Sequence, residues 1–596
     1  MRLKKQLDKT KMIISSSTKM LEIPRPEHPK PQFERGDWAN LNGQWTFRFD
    51  FGKSGLDRKW HESQGFDQEI TVPFCPESKL SGVEHVDFIE MMWYHRKLDI
   101  PADWQGKKIL LHFGGVDYES EVFIDGVSAG AHWGGSASFA VDITKRAAPG
   151  TSHDLVVHVK DDLRSKTQPS GKQCDMRYAS FACSYTRVTG IWQTVWIEAV
   201  APTGLKLCKI IPDLDRATFV FVPEFHAIAA GTTLEIAVAG ENPVSAPAID
   251  GIPVVLKLSG PKSWSPKTPH LYDIEYKVKD KSGTVIDTVK SYAGLRKIHI
   301  EGDQIFLNNE LLYCRFVLDQ GYYADGLWTA PSDAALKRDI ELGLQCGFNG
   351  ARLHQKVFEE RFHYWADKMG YLTWGESANW CMSNWTDKGC RNFLPEWGEI
   401  VLRDMNHPSI IAWVPFNETR AESDLREHRR FMTDIYDLTK GLDPTRPVND
   451  SSGYAHAKTD LYTVHTYEMP EELKEMFKDG VHWRNFPKED VEYNGQPYLV
   501  DEFGGIQWAL ETTGASWGYG DAPKTLEEFY ARLEAEVDVL LSSPQIGGYC
   551  YTQLTDIEQE QNGICFYDRS AKFDMKRIAA IFSKEPARHA KGGSDL

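Results

Sequence analysis

The chain has 596 residues, 41% of them hydrophobic and 26% charged; this is a globular composition too long for one hydrophobic core, so two to four domains are expected. Its formal charge of −17 spreads along the chain without a basic block, which excludes a phosphate-backbone footprint and therefore nucleic acid as a partner. The basic N-terminal stretch carries an apolar run that stops after Met12-Ile13-Ile14, short of a signal peptide's hydrophobic region, and no later stretch is long enough to span a bilayer, so no membrane association is expected.

From Trp38 to about Val200 the chain reads as short alternating strands broken at regular intervals by turn residues. Val122-Phe123-Ile124 and Leu155 to Val159 alternate, and Asp125-Gly126 marks a tight hairpin. This predicts a jelly-roll β-sandwich over residues 20–200. Five further strand-like runs follow before Lys297, matching an immunoglobulin-like β-sandwich over 201–298, with the proline-rich stretch from Gly260 to Pro269 as one of its loops. After residue 300 apolar strands alternate with amphipathic helices, the pattern of a parallel sheet. Eight strands are expected: Leu311 to Leu318, Phe348 to Leu353, Tyr371 to Trp374, Ile410 to Phe416, Pro447 to Asp450, Leu461 to His465, Tyr498 to Glu502 and Gly547 to Tyr551. Helices such as Ser332 to Cys346, Val357 to Lys368, Leu425 to Lys440 and Thr525 to Leu541 fall between them. The natural closure is a multidomain protein whose residues 299–596 form a (β/α)8 TIM barrel.

Ten cysteines occur without a CxxC pair or repeated spacing, so reduced thiols and a cytoplasmic location are expected. HExxH, oxygen-rich calcium loops and glycine-rich phosphate cradles are missing too, so no metal or cofactor is expected.

An active site in such a barrel gathers at the C-terminal ends of the strands. The fourth expected strand runs into Asn417-Glu418 and the seventh into Asp501-Glu502. Strands four and seven face each other across the barrel mouth. Two carboxyls there, about 5 to 5.5 Å apart, suit retaining glycoside hydrolysis, in which one protonates the leaving oxygen and the other attacks the anomeric carbon. Glu418 then has to arrive protonated, whereas Glu502 has to stay ionised beside a cation. Arg352, at the end of the second strand, is the expected partner. Asp319, His354, Trp380, His465, Tyr467, Trp508 and Gln553 also lie at or just beyond strand ends and complete the candidate substrate-binding set; Glu376 and Glu468 are further carboxylates near such ends.

The ordered motifs resemble glycoside hydrolase family 2 from about residue 38 to residue 570. WYHRKLDIP, FGGVDYESEVFIDGVSAGAHWGGSASFAVDIT and GIWQTVWIE look like the family's sugar-binding-fold signatures, and LYDIEYKV and GLRKI like those of its second domain. NHPSIIAWVPFNE resembles its acid/base segment and YLVDEFGG its nucleophile segment. The resemblance implies Glu418 as acid/base, Glu502 as nucleophile, Asn417 bonded to the sugar hydroxyl beside the reacting carbon, and Tyr467 near the nucleophile. It also implies an exo-acting hydrolase on an oligosaccharide or glycoside, and homo-oligomers are common among similar proteins.

Departures bear on the sugar. Family β-glucuronidases hold the substrate carboxylate with an Asn-x-Lys element before a Gly-Ile step, whereas this chain reads Glu560-Gln561-Asn562 before Gly563-Ile564. A neutral sugar is therefore expected, β-galactoside first, with β-galactofuranoside, α-L-arabinoside and β-mannoside as alternatives and β-glucuronide disfavoured. A non-catalytic carbohydrate-binding protein is the alternative from another class.

Overall fold

The structure, a computed structural model, describes residues 23–177, 179–382, 387–421, 424–509 and 516–587. The basic N-terminal stretch with Met12-Ile13-Ile14 lies outside them. No helix among the described residues is long and apolar enough to cross a membrane, and none of the cysteines forms a disulfide among the described residues.

The first sandwich packs a six-stranded sheet against a four-stranded one. Strand alternation explains how. Along Ser152–Lys160, Leu155, Val157 and Val159 enter the core between the sheets with Trp45 and Tyr94, while Val156 points the other way into a small cluster with Trp93 and Phe123. The Asp125-Gly126 turn between Glu119–Ile124 and Val127–Trp133 has both residues at positive φ, 48° and 77°, the backbone that a two-residue hairpin needs to match strand twist. The second sandwich pairs a three-stranded with a four-stranded antiparallel sheet around Phe219, Phe221, Leu234, Ile236 and Tyr276. Its proline-rich loop does more than connect strands: Trp264 is fully buried and its indole N–H donates to the Asp367 carbonyl of the next domain at 2.7 Å.

The barrel sheet runs in the order Ile410–Val414, Leu372–Glu376, Gly350–Leu353, Cys314–Asp319, Ile546–Thr552, Tyr498–Gly504, Tyr462–Thr466, all parallel. The expected fifth strand forms no ladder. Residues 447–452 meet the fourth strand and the segment that leaves it through isolated bridges, Val448 to Trp413 and Ser452 to Asn417. Pro447 removes one donor. Toward Tyr462–Thr466 the gap is closed partly by side chains: Thr463 Oγ1 donates to Asn449 Oδ1 at 3.3 Å and accepts from the Gly453 N–H at 3.0 Å. Leu311 and Leu312, expected in the first barrel strand, belong instead to a three-stranded hairpin sheet over residues 298–312. Ile298, Ile305 and Leu307 of that sheet pack under Phe316, Leu372 and Trp374 inside the barrel.

The helices begin where capping side chains sit. Ser332, Asp424 and Thr525 accept from backbone N–H groups at the starts of Asp333–Gln345, Leu425–Leu442 and Leu526–Ser542. The helix expected from Val357 starts at Glu360, because Val357 and Phe358 are spent on the core in an extended lead-in.

Candidate active site

Two backbone irregularities aim the central carboxylates. Beyond Ile410–Val414 the chain runs through Pro415 and Phe416 to Glu418, whose φ is +46°, a left-handed conformation that costs a non-glycine residue energy and recurs at functional sites. It is held by the Glu418 N–H bonding to Ser452 O at 2.9 Å and by the Asn417 N–H bonding to Asn379 Oδ1 at 2.9 Å. Across the mouth, the pairing of Tyr462–Thr466 with Tyr498–Gly504 slips by one residue: Val464 faces Val500, but His465 faces Glu502. Such a bulge re-aims side chains beside it, and here it leaves Asp501 and Glu502 both pointing at polar partners.

One carboxylate oxygen each from Glu418 and Glu502 and a ring nitrogen of His465 lie within 4.8 Å of one another. Arg352, fully buried, ties the floor together. It donates to Glu502 Oε1 at 2.7 Å, to Glu376 Oε2 at 2.6 Å and to Asn417 Oδ1 at 2.5 Å. The Tyr467 hydroxyl donates to Glu502 Oε2 and its ring stacks on Tyr519. His465 lies among three carboxylates, 2.7 Å from Glu418 Oε1 through Nδ1, and 3.3 Å from Asp501 Oδ1 and 3.5 Å from Glu502 Oε1 through Nε2. His354 lies 3.0 Å from Glu376 Oε1.

The electrostatics follow from these partners. Burial alone pushes the Glu502 carboxyl up, but the positive charges of His465, Arg352 and Lys172 outweigh it and bring its pKa from 4.5 down to about 2. For His465, burial pulls the pKa down while the Glu502 and Asp501 carboxylates raise it to about 10, so the ring is charged. His354, buried beside Lys172 and Arg352, falls well below its usual value and is neutral. Glu376 is pushed up to about 7 by burial, against the pull of Arg352. Glu418, His465 and Glu502 also converge closely enough for a metal ion; the proton on His465 weighs against that use. The amide Nδ2 of Asn417 is buried with no hydrogen-bond partner among the described residues, a donor left open beside the carboxylate pair.

Thus Arg352, His354, Asn417, Glu418, His465, Tyr467 and Glu502 form one connected network. Trp380 stands at its edge, its ring 6.4 Å from that of His354. Gln553 is a layer out, donating to Asn562 at 2.8 Å and accepting from Gln320. Two expected residues stand apart. Trp508 packs toward the helix layer, its ring 6.2 Å from Phe529 and 6.5 Å from Phe573. The Asp319 carboxyl accepts from the Gly321 N–H at 2.9 Å and is raised to about 7 by burial and by Asp339, away from the Arg352 network.

The strand-end reading missed the residues that the first sandwich sends onto the barrel mouth. Ser170 and Gly171 donate backbone N–H groups to Trp380 O at 3.1 Å and Ala378 O at 2.8 Å. Tyr185 donates its hydroxyl to Glu560 Oε2, and Asn562 donates to Glu560 Oε1 at 3.0 Å. Lys172 follows Gly171 and is buried between the rings of Trp380 and Tyr185. Nothing in a strand-end pattern could have found them; GIWQTVWIE was the nearest signal.

Two family models match: "Glycosyl hydrolases family 2, TIM barrel domain" over residues 298–583 and "Glycosyl hydrolases family 2" over 222–296. A β-glucuronidase of Paenibacillus borealis is 23% identical over 448 residues, 70% of this chain and 74% of the relative. A β-galactosidase of Thermoanaerobacter pseudethanolicus is 25% identical over 587 residues, 92% of this chain and 72% of the relative. Among solved structures, the apo β-glucuronidase of Ruminococcus gnavus superposes with a TM-score of 0.78 at 21% identity, covering 94% of this chain and 100% of that one, a likeness of fold. With a matched barrel model, a matched neighbouring domain and the ordered sandwich, sandwich and barrel architecture, the chain belongs to glycoside hydrolase family 2 and is a hydrolase of O-glycosyl bonds.

Proposed function

We propose that the chain removes terminal, non-reducing glycosyl residues from β-glycosides with retention of configuration, Glu502 acting as nucleophile and Glu418 as acid/base. The observation that carries this reading is the approach of one Glu418 and one Glu502 oxygen to within 4.8 Å. That spacing leaves room for one anomeric carbon and none for the separate water that inversion needs, where the carboxyls stand about 6.5 to 9.5 Å apart. In the first step the ionised Glu502 forms a bond to the anomeric carbon as the glycosidic C–O bond breaks, and the Glu418 proton goes to the leaving oxygen. Water then attacks the same carbon, gives its proton to Glu418 and releases Glu502. The open Asn417 amide is placed to bond the adjacent sugar hydroxyl, and Tyr467 and Arg352 hold the nucleophile charged and oriented.

The finer question is the sugar. The neutral-sugar expectation, β-galactoside first, rested on the missing lysine at Glu560-Gln561-Asn562. The Thermoanaerobacter relative is named a β-galactosidase, but relatives from Paenibacillus borealis and Bacteroides fragilis are named β-glucuronidases. The names therefore favour a β-glucuronide slightly over a β-galactoside, and both belong in the test.

Glu502→Gln and Glu418→Gln are each expected to lower turnover of the best aryl glycoside by several orders of magnitude, on the order of the 10⁴-fold or greater losses seen when a catalytic group is removed. Azide is expected to restore the Glu418 variant with activated substrates, giving a glycosyl azide of retained configuration by NMR. Near-normal rates in either variant refute the assignment. Saturable binding with no aglycone release from any glycoside identifies a binding protein instead.

A further inference from the structure

Lys172 is a buried charge that takes no direct part in the bond changes above. It is 5% exposed, and its backbone is fixed. Gly171 before it has φ +59°, and a Cβ there would lie 2.1 Å from the Gln355 carbonyl oxygen, so only glycine lets this loop of the first sandwich press against the barrel. The Lys172 carbonyl accepts from the Tyr185 N–H at 2.7 Å. Its ammonium lies 5.4 Å from the centroid of Trp380 and 5.9 Å from that of Tyr185, and among the described residues it makes no hydrogen bond or ion pair. Withdrawing an ammonium from water costs more, even after relaxation, than two cation–π contacts return. Burial pulls the Lys172 pKa down, but the Glu560, Glu502 and Glu418 carboxylates outweigh it and keep the ammonium charged; its N–H groups still call for an anionic acceptor.

The surroundings say where that anion sits. Trp380 touches His354, which belongs to the Arg352 floor under Glu502. Tyr185, on the other side, is committed to Glu560, and Glu560 is already answered by Tyr185 and Asn562. Lys172 thus stands between the nucleophile and the Glu560 wall. Its field reaches both, for it helps to lower the pKa of Glu502 and is itself felt at Glu560. The barrel position where a lysine was sought carries Asn562, with Glu560 two residues before it, and the cation comes from another domain.

We propose that Lys172 is a specificity-determining residue whose ammonium pairs with the carboxylate of a uronosyl residue in the pocket, making β-linked uronides the substrate class. The inference rests on the hydrolase reading given above. A carboxylate matches both the charge and the several N–H groups of the ammonium; a hydroxymethyl group accepts one hydrogen bond and leaves the other N–H groups unsatisfied.

The test compares 4-nitrophenyl β-D-glucuronide and β-D-galacturonide with the β-D-galactoside and β-D-glucoside, all sharing one aglycone, in the full chain and in Lys172→Met and Lys172→Arg. The parent is expected to prefer a uronide. Lys172→Met is expected to lower kcat/KM for that uronide about 100-fold or more, as loss of one partner of a buried charge pair does, and to lower the ratio of uronide to neutral kcat/KM at least tenfold; Lys172→Arg keeps much of the preference. A parent that cleaves only neutral glycosides overturns the uronide assignment and leaves the hydrolase reading standing. Equal losses on both classes in Lys172→Met overturn it too, since they mark a structural role. Calorimetric binding of D-glucuronate against D-glucose by the parent decides the matter without turnover and without a folded variant: no preference for glucuronate sinks the proposal.

Discussion

Arg352 is the residue on which the charge pattern of the site turns. It is fully buried and bonded at once to Glu376, Glu502 and Asn417, so replacing it leaves two buried carboxylates short of a cation. Arg352→Met is expected to destabilise the protein by about 3–5 kcal/mol, the usual cost of removing one partner of a buried pair, measured by denaturant unfolding. Its effect on pH dependence has a definite sign. Glu502 titrates near 2 instead of 4.5, so its contribution to stability is fully present above 4.5 and is lost only as the pH falls through about 2. For the same reason protonation of the nucleophile does not set the acid limb of kcat/KM above pH 3. In Arg352→Met the Glu502 pKa rises and that limb moves up toward the ordinary carboxylate range; an unmoved limb in a pH–rate profile contradicts this account.

At the scale of elements, the active site depends on strands that break their own regularity. The slip opposite Glu502 and the left-handed turn at Glu418 aim two carboxylates at one point, and His465 locks them. Gly453 guards that lock. Its φ is +76°, and a Cβ would lie 2.1 Å from Cδ2 of His465. Gly453→Ala is therefore expected to push the imidazole off Glu418 and to lower kcat about 100-fold, the cost of a misplacement near 1 Å, with the far-ultraviolet circular dichroism of the parent. Unchanged kcat would show that His465 is not needed in this position. Seven barrel strands were legible from their apolar runs. The fifth was legible as extended chain but not as unladdered, because whether Pro447 to Asp450 finds a partner depends on the Asn449 and Thr463 side chains across the gap.

The whole molecule is joined by buried charges at its domain borders. Arg35 bonds Asp287 of the second sandwich at 2.9 Å, lies 3.3 Å from Glu198 of the first, and donates to the Leu205 carbonyl. Arg35→Met leaves two buried carboxylates facing each other across the junction. The expected result is a loss of about 3–5 kcal/mol and, in calorimetry, a sandwich transition that separates from that of the barrel; a single transition at the parent temperature would show that the junction is held by apolar packing instead. The active site is exposed to the same coupling, since the loop bearing Lys172 reaches the barrel only while the first sandwich stays docked.

The amino-acid sequence by itself determined the periodic and the local: two alternating sandwiches, a βα barrel, and the positions of Glu418 and Glu502 at the ends of their strands, because side-chain direction in strands and helices repeats at fixed spacing and needs no knowledge of distant chain. Tertiary structure alone decided which side chains complete the pocket. It turned Trp508 to the helix layer, withdrew Asp319 from the Arg352 network, and brought Lys172 and Tyr185 from another domain to face Glu560. Those outcomes depend on how a loop crosses between domains, and that path is set by docking contacts such as Gly171 against Gln355, which no spacing along the chain encodes.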